Sequence, residues 1–519
     1  MSGRTVVSRV GATTPLGVGA TTALERSTAP DASTAFERST AIERSPTKLA
    51  PLERIERLCD EGTVQVIRSR VTSRRLGEKS RPGDGVIGAA GRVGGRPIFA
   101  YAQDQRFVGG SLGEAHADTI VRVMRLAGDA GAPVVGFIES GGARMQEGVA
   151  GLAGYGRIFY ENVALSGRVP QISVITGTSA GGGSYSPALT DFVVMTKAAT
   201  MFLTGPKVVK EALGEEASAE SLGGASVHER NGVCHFVAED DTDAVSRVRE
   251  ILDYLPSNAS SPGPQRMVVE PPNPDPSSVV PTEHRQVYDV RDVIRALADG
   301  GELLEPSARW ARNVVTALCR LNGRTVGVLA NQPKFLGGTL DSESASKAAR
   351  FVRLCNAFGL PLVVLVDTPG FMPGSRQERG GVIRHGAKLL HAFAESRAPR
   401  VTVVLRKAFG GAYISMNARD LGADFTFAWP QAEIGVMAAS QAVGIIHRRK
   451  LDELERDADA ERAELATGYA EEHLRAGVAA HDGFIDEVIE PAQTRTRLIW
   501  ALDALANRRS GGGVKNIPL

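Results

Sequence analysis

The chain has 519 residues, too many for one ordinary core, and its 42% hydrophobic and 23% charged residues are the make-up of a globular protein of more than one domain. A formal net charge of +1 excludes a whole-protein field that would recruit nucleic acid or an anionic membrane. Cys59, Cys234, Cys319 and Cys355 lack the close pairing of zinc sites and predict reduced core thiols in a cytoplasmic protein, and no apolar run is long enough to span a membrane.

Residues 1–47 carry a degenerate repeat, Leu24-Glu-Arg-Ser-Thr, Phe36-Glu-Arg-Ser-Thr and Ile42-Glu-Arg-Ser-Pro, in a Ser/Thr-rich composition that predicts a disordered tail. From Leu52 the pattern becomes helical, with Ile55 and Leu58 on one face and a stop at Asp60-Glu-Gly62. The device recurs where Val293, Ile294 and Leu297 precede Asp299-Gly-Gly301. Arg96–Leu112 then runs beside Arg324–Leu340, and Phe107, Gly110 and Pro133 meet Phe335, Gly338 and Pro361, each 228 residues on. At the paired glycines the offset is 229, where Gly182 meets Gly411. Nearly constant spacing predicts an internal duplication, with one domain over 48–262, a Pro/Ser-rich linker over 263–284 and a second domain over 285–519. Within each unit, short strands (Val134–Ile138, Ile172–Thr176, Leu362–Val366, Val401–Leu405) alternate with helical stretches such as Ser344–Phe358, the rhythm of an α/β domain.

Chemistry-bearing positions fall at the ends of those strands. Glu139-Ser-Gly-Gly-Ala-Arg144 and Asp367-Thr-Pro-Gly-Phe371 are turns of little bulk, which either admit a substrate to the backbone or serve backbones that need positive φ. At Ala180-Gly-Gly-Gly-Ser184 and Phe409-Gly-Gly-Ala-Tyr413 the chain leaves a strand and enters a helix, where free N–H groups meet the positive end of the helix dipole. Two oxyanion holes follow, from the N–H groups of Gly182 with Gly183 and of Gly411 with Ala412. Close helix-to-strand packing is the alternative, and it explains one copy better than two. Gly177-Thr-Ser-Ala-Gly181 also fits a nucleophile elbow, which would make Ser179 the nucleophile of a thioesterase-like hydrolase. The position equivalent to Ser179 in the second unit is Ala408, which argues against that reading. Gly83-Asp-Gly-Val-Ile-Gly88 matches a dinucleotide fingerprint but precedes strands rather than a helix. Arg74-Arg75 with Lys79 and Arg81, and His447-Arg-Arg-Lys450, are local basic clusters, and the nine histidines form no metal-ligand spacing, so no metal is expected.

Several ordered motifs together resemble the carboxyltransferase (beta) subunit of biotin-dependent acyl-CoA carboxylases, in the propionyl-CoA carboxylase-like branch. They are Phe107-Val-Gly-Gly-Ser-Leu-Gly-Glu, Gly142-Ala-Arg-Met-Gln-Glu-Gly, Ser186-Pro-Ala-Leu-Thr-Asp-Phe, Leu203-Thr-Gly-Pro, Ala330-Asn-Gln-Pro, Asp367-Thr-Pro-Gly-Phe, Lys407-Ala-Phe-Gly-Gly-Ala-Tyr and Asn516-Ile-Pro-Leu519. The resemblance covers about Leu49 to Leu519 and implies two tandem crotonase-like (ClpP/crotonase superfamily) domains in a homo-hexamer. It implies transfer of CO2 from carboxybiotin to the α-carbon of an acyl-CoA, or the decarboxylase or transcarboxylase direction of the same chemistry. Biotin would arrive on a partner, the biotin carboxylase and biotin carrier alpha subunit, because this chain has no Met-Lys-Met attachment site. By the same resemblance Gly182 and Gly183 would hold the thioester oxygen, and Gly411 and Ala412 the ureido oxygen of biotin. Gly141, Gly142, Ala143, Gly181, Gly410, Tyr413 and Ile414 would line the substrate, and Pro369, Gly370 and Phe371 the biotin. The chain departs from the family's usual pattern at Ile414, the acyl-chain selector position where propionyl-preferring members often carry Asp, over Gly435–Ala442, and at Ser179, where Cys is frequent.

Overall fold

The computed structural model describes residues 48–283, 285–453, 458–508 and 514–518, so the Ser/Thr-rich segment 1–47 lies outside the described residues. The strands are β1 (Gln65–Ile67), β2 (Val86–Val93), β3 (Arg96–Gln103), β4 (Val134–Ser140), β5 (Gln171–Ala180), β6 (Phe192–Thr196), β7 (Thr200–Phe202) and β8 (Phe236–Ala238). After them come β9 (Leu303–Leu304), β10 (Val314–Leu321), β11 (Arg324–Asn331), β12 (Leu362–Thr368), β13 (Arg400–Phe409), β14 (Phe425–Ala428), β15 (Glu433–Gly435) and β16 (Glu487–Val488). They form two eight-stranded sheets of one connectivity, β1-β2-β3-β4-β5-β6-β8 with β7 on β5, and β9-β10-β11-β12-β13-β14-β16 with β15 on β13. In each sheet the leading hairpin is antiparallel and the strands beyond it are parallel.

The repeat extends to single dihedral angles. The β4–β5 register shifts between Ile138 and Ser140, and the β12–β13 register shifts between Val366 and Thr368. Val108, Gly109 and Gly110 have φ of 49°, 64° and 68°, and Leu336, Gly337 and Gly338 have 51°, 60° and 76°. A Cβ on Gly110 would collide with the Glu139 carbonyl, and one on Gly338 with the Asp367 carbonyl, so both loops need glycine for the same reason.

Strands β4 and β12 are buried along their whole length, as parallel strands covered by helices on both faces must be. The helices that matter to the site are α1 (Pro51–Leu58), α2 (Glu114–Ala130), α3 (Val149–Leu165), α4 (Gly182–Ala188), α5 (Val290–Leu297), α6 (Ser342–Ala357), α7 (Val382–Glu395) and α8 (Gly410–Ser415). Helix α6 starts earlier than its apolar pattern because Asp341 caps it, accepting the Ser344 N–H at 2.9 Å. Helix α2 packs on α3 and α6 on α7. One core gathers Tyr101, Ile120, Met124 and Ile175; the other gathers Val293, Leu365, Val403 and Trp429, whose indole N–H donates to Thr494 Oγ1 at 2.9 Å. All four cysteines are buried free thiols, as expected. No described helix is long and apolar enough to cross a membrane.

Each half keeps one buried acid at the end of its central strand. Glu139 meets Lys48 and the Arg54 guanidinium, at 3.2 Å for the latter, and Arg54 also binds Asp241 at 2.8 Å. Asp367 accepts from Arg406 at 2.9 Å and from the Tyr288 hydroxyl at 2.9 Å. Arg406 goes on to the carbonyls of Pro281 (3.3 Å), Glu283 (2.9 Å) and Gln286 (3.0 Å). Each acid therefore ties down the segment that leads into its own half. Residues 514–518 close the first half: the Asn516 N–H donates to Ser166 Oγ (3.0 Å) and its side-chain amide to Asp191 Oδ1 (2.9 Å). Burial pushes the Asp191 carboxyl up to about 6.

Candidate active site

Strand β5 ends at Ala180, and Gly181, whose φ of 58° and ψ of −125° suit glycine alone, leads into α4 at Gly182. No side chain caps that helix, so its leading N–H groups are not taken up by a cap. The ring of Tyr155, from α3, lies against Gly182, where a Cβ would stand 2.7 Å from a ring carbon. The Tyr155 hydroxyl is 3.2 Å from Ser140 Oγ, which also accepts the Gly142 N–H at 3.2 Å. Burial pushes the Tyr155 phenol up to about 12, so it stays a hydroxyl at neutral pH.

The Gly141–Ala143 loop comes in beside this turn. The Gly141 N–H donates to the Gly109 carbonyl at 3.0 Å, and the Gly142 carbonyl accepts from Leu112 at 2.8 Å. Gly142 has φ of 100°, and a Cβ there would face the Ala180 carbonyl at 3.4 Å. Ala143 bridges to Leu112. Beyond it Arg144, fully buried, binds Asp84 and Glu147 at 2.8 Å each and the Ser111 carbonyl at 3.0 Å. The first-half candidates Gly141, Gly142, Ala143, Gly181, Gly182 and Gly183 are thus brought together, and Tyr155 and Ser140 join them.

The nucleophile-elbow reading fails here. Ser179 is fully buried, and its Oγ has no hydrogen-bond partner among the described residues, so the base a serine nucleophile requires is missing.

Strand β13 ends at Phe409, and Gly410, with φ of 60°, opens α8. A Cβ on Gly410 would meet the Val436 carbonyl at 3.2 Å; one on Gly411 would find nothing nearer than the Phe371 ring, at 3.9 Å. Phe371 bridges to Leu340 and reaches Gly386 of α7, where a Cβ would sit 3.2 Å from the ring. Gly370 has φ of 140° and open space where its Cβ would be, its N–H donates to Thr368 Oγ1 at 3.3 Å, and Pro369 is exposed. Ala412 is fully buried, the Tyr413 hydroxyl is buried with no partner among the described residues, and Ile414 is 48% exposed on the same helix. Phe371, Gly370, Gly410 and Gly411 form this second turn, closed by residues of its own half.

Both turns set a strand end against a helix start, the arrangement in which N–H groups and dipole favour a developing negative oxygen. Sequence reasoning missed Tyr155 and Ser140. The signal for Ser140 was its alignment with Thr368, a hydroxyl kept at one place in both units. Within the basic clusters Arg75 pairs with Glu114 at 3.1 Å, Arg448 with Asp452 at 3.7 Å, and Lys450 with Glu461.

The carboxyl transferase domain family matches residues 43–514. A methylmalonyl-CoA decarboxylase subunit alpha of Veillonella parvula is 46% identical over 484 residues, covering 91% of this chain and 93% of its own length. A propionyl-CoA carboxylase beta chain of Roseobacter denitrificans is 45% identical over 470 residues, covering 89% of this chain and 91% of its own. Among solved structures, a transcarboxylase 12S crystal structure, described as a hexamer assembly with methylmalonyl-coenzyme A and methylmalonic acid bound, matches with a TM-score of 0.85 at 44% identity, covering 90% of this chain and 92% of its own.

Proposed function

From the premise that this chain belongs to the carboxyl transferase family of acyl-CoA carboxylases, transcarboxylases and decarboxylases, we propose that it carries CO2 from a biotinylated carrier chain to the α-carbon of an acyl-CoA. The N–H groups of Gly182 and Gly183 hold the thioester oxygen as the α-carbon gives up its proton and negative charge moves onto that oxygen. Gly181 and the Gly141–Ala143 loop give the acyl-CoA access to the backbone, because no side chain stands in its way there. A single such donor is worth roughly 10²–10³ in rate, so a chain without a catalytic His or carboxylate at either turn still has a source of acceleration.

Gly411 and Ala412 perform the same service for the ureido oxygen of biotin, with Pro369, Gly370 and Phe371 beside it. Carboxybiotin, when bound, supplies both the CO2 and, after releasing it, the base. The residues fit a flat ring: a Cβ on Gly411 would meet only the Phe371 ring, at 3.9 Å, and Gly370 is open. Gly410, Tyr413 and Ile414 line the acyl chain, with the half-exposed Ile414 setting its length.

The observation that carries this reading is the repeat itself, one glycine turn at the end of β5 and its counterpart at the end of β13. A packing device has no need of two copies with the same positive φ at Gly181 and Gly410. We take 48–262 and 285–519 as the acyl-CoA and biotin domains, working in a cytoplasmic homo-hexamer with a biotin carboxylase and biotin carrier alpha subunit. The hexamer assembly of the similar transcarboxylase 12S supports that oligomeric state.

The test reconstitutes the chain with that partner, ATP and labelled bicarbonate across a panel of acyl-CoA lengths. Acid-stable label in a carboxyacyl-CoA is expected, with Ile414→Asp moving preference toward propionyl-CoA. A complex that neither carboxylates any acyl-CoA nor decarboxylates methylmalonyl-CoA sinks the proposal.

A further inference from the structure

Three hydroxyls converge behind the first glycine turn. A Cβ on Gly183 would lie 3.0 Å from Ser179 Oγ, 3.4 Å from the Tyr155 hydroxyl and 3.7 Å from Ser140 Cβ. Ser140, Tyr155 and Ser179 are at most 5% exposed. Two of the hydroxyls are bonded to each other, and the third has no partner among the described residues. Buried hydroxyls without a structural task are unfavourable, and each one calls for an explanation.

The second half acts as an internal control. Ser140 pairs with Ser179 across β4 and β5, and Thr368 pairs with Ala408 across β12 and β13 at the same shifted register. There a methyl replaces the Ser179 hydroxyl, and the ring nearest the turn glycine belongs to Phe371, which has no hydroxyl. The same backbone turn forms all the same, so the hydroxyls of Tyr155 and Ser179 are not required by the fold, whereas that of Ser140 has its counterpart in Thr368, which accepts the Gly370 N–H as Ser140 accepts the Gly142 N–H.

We propose that Tyr155 is the positioning residue of the thioester site, acting with Ser140 and Ser179 as a hydroxyl cluster that sets and polarises the Gly182–Gly183 N–H pair. The inference rests on the reading of that turn as the thioester oxyanion hole. The Tyr155 ring lies against Gly182, and the Tyr155–Ser140–Gly142 bonds join that ring to the Gly141–Ala143 loop. Hydroxyl hydrogens rotate, so Tyr155 and Ser179 can turn their dipoles toward charge growing at the turn. The second turn has Ala408 across from Thr368 and the Phe371 ring beside Gly411, and so lacks the pair of hydroxyls that Tyr155 and Ser179 supply.

The test measures carboxylation of propionyl-CoA by the complete complex with its biotinylated partner. Tyr155→Phe keeps the ring and removes the hydroxyl. It is expected to lower kcat about tenfold while KM for propionyl-CoA and the melting temperature hold. Ser140→Ala should give a similar loss, and the double variant no more than either alone, because the two hydroxyls act as one unit. Wild-type kcat in Tyr155→Phe, or losses that multiply in the double variant, would overturn the inference while leaving the carboxyltransferase reading intact. Where the wild type prefers another acyl-CoA, that substrate takes the place of propionyl-CoA, and a wild-type complex inactive on every acyl-CoA would instead strike at that reading.

Discussion

The two halves share a backbone and differ in what backs it. At the first turn a helix-borne tyrosine presses on Gly182, and three hydroxyls gather under Gly183; at the second, Phe371 reaches in from a loop and leaves Gly411 uncrowded. The segments leading into the halves diverge in the same way. Glu139 holds the chain at Lys48 and Arg54, whereas Asp367 works through Arg406, which bonds three carbonyls between residues 281 and 286. Duplication preserved φ angles, register and strand order, which a chain cannot change singly without losing the sheet. It released the side chains behind the turn, where substrate and cofactor make different demands.

The largest effect that tests this contrast lies at the buried arginines. Arg406→Met and Arg54→Met should each cost about 3–5 kcal/mol, because each leaves a buried acid short of its main partner. The contrast lies in where the chain loosens. Hydrogen exchange should quicken over 281–288 in the first variant and over 48–58 in the second. Loss of protection in the same segments in both variants would show that the acids are not separate anchors.

A smaller effect separates the glycines. Gly182→Ala forces a Cβ to within 2.7 Å of the Tyr155 ring and should destabilise by about 1–3 kcal/mol. Gly411→Ala places its Cβ at 3.9 Å from Phe371, an ordinary contact on a backbone alanine accepts, and should change the unfolding free energy measured in urea by less than about 0.5 kcal/mol. Equal shifts would mean that the two turns are equally packed.

A pH-dependent effect follows from α6, where Lys347 occupies the place that Thr119 has in α2. Its ammonium donates to the carbonyls of Trp310 (2.9 Å) and Val314 (2.8 Å), and burial lowers it to about 7. Between pH 7 and its unfolded value near 10.5 the unfolded chain holds the proton that the folded chain has released, so stability rises with pH. The unfolding free energy of the wild type, measured in urea, should climb relative to Lys347→Met by about 1 kcal/mol per pH unit from pH 7 to 9. Parallel curves would place the lysine in water.

Much of this was legible in the chain before any coordinates. Aliphatic runs marked β4, β5, β12 and β13, and fixed offsets marked the duplication, because buried parallel strands and glycine turns leave local signatures. Boundaries were less legible. The run over 172–176 extends to Ala180 in β5, since the glycine-bearing residues Gly177–Ala180 are held as strand by pairing with β7, a partner no local pattern announces. Tyr155 stayed hidden for a related reason. In α3 it reads as one more buried helix position, and its task depends on Ser140 and Gly182, 15 and 27 residues away in the chain. The segment ahead of α5 read as the end of a linker, yet its carbonyls hold Arg406.

The stitch between Asn516 and Asp191 adds a matter of timing. The two partners stand 325 residues apart, so a ribosome adding about 5–20 residues per second delivers Asn516 roughly 16–65 s after Asp191. For that interval the first sheet has its strands, and Asp191 Oδ2 has the Gln171 N–H, but Oδ1 still lacks the amide it will meet. A nascent first half is therefore exposed to chaperones and proteases along the edge at Ser166 and Asp191 until residues 514–518 arrive to cover it.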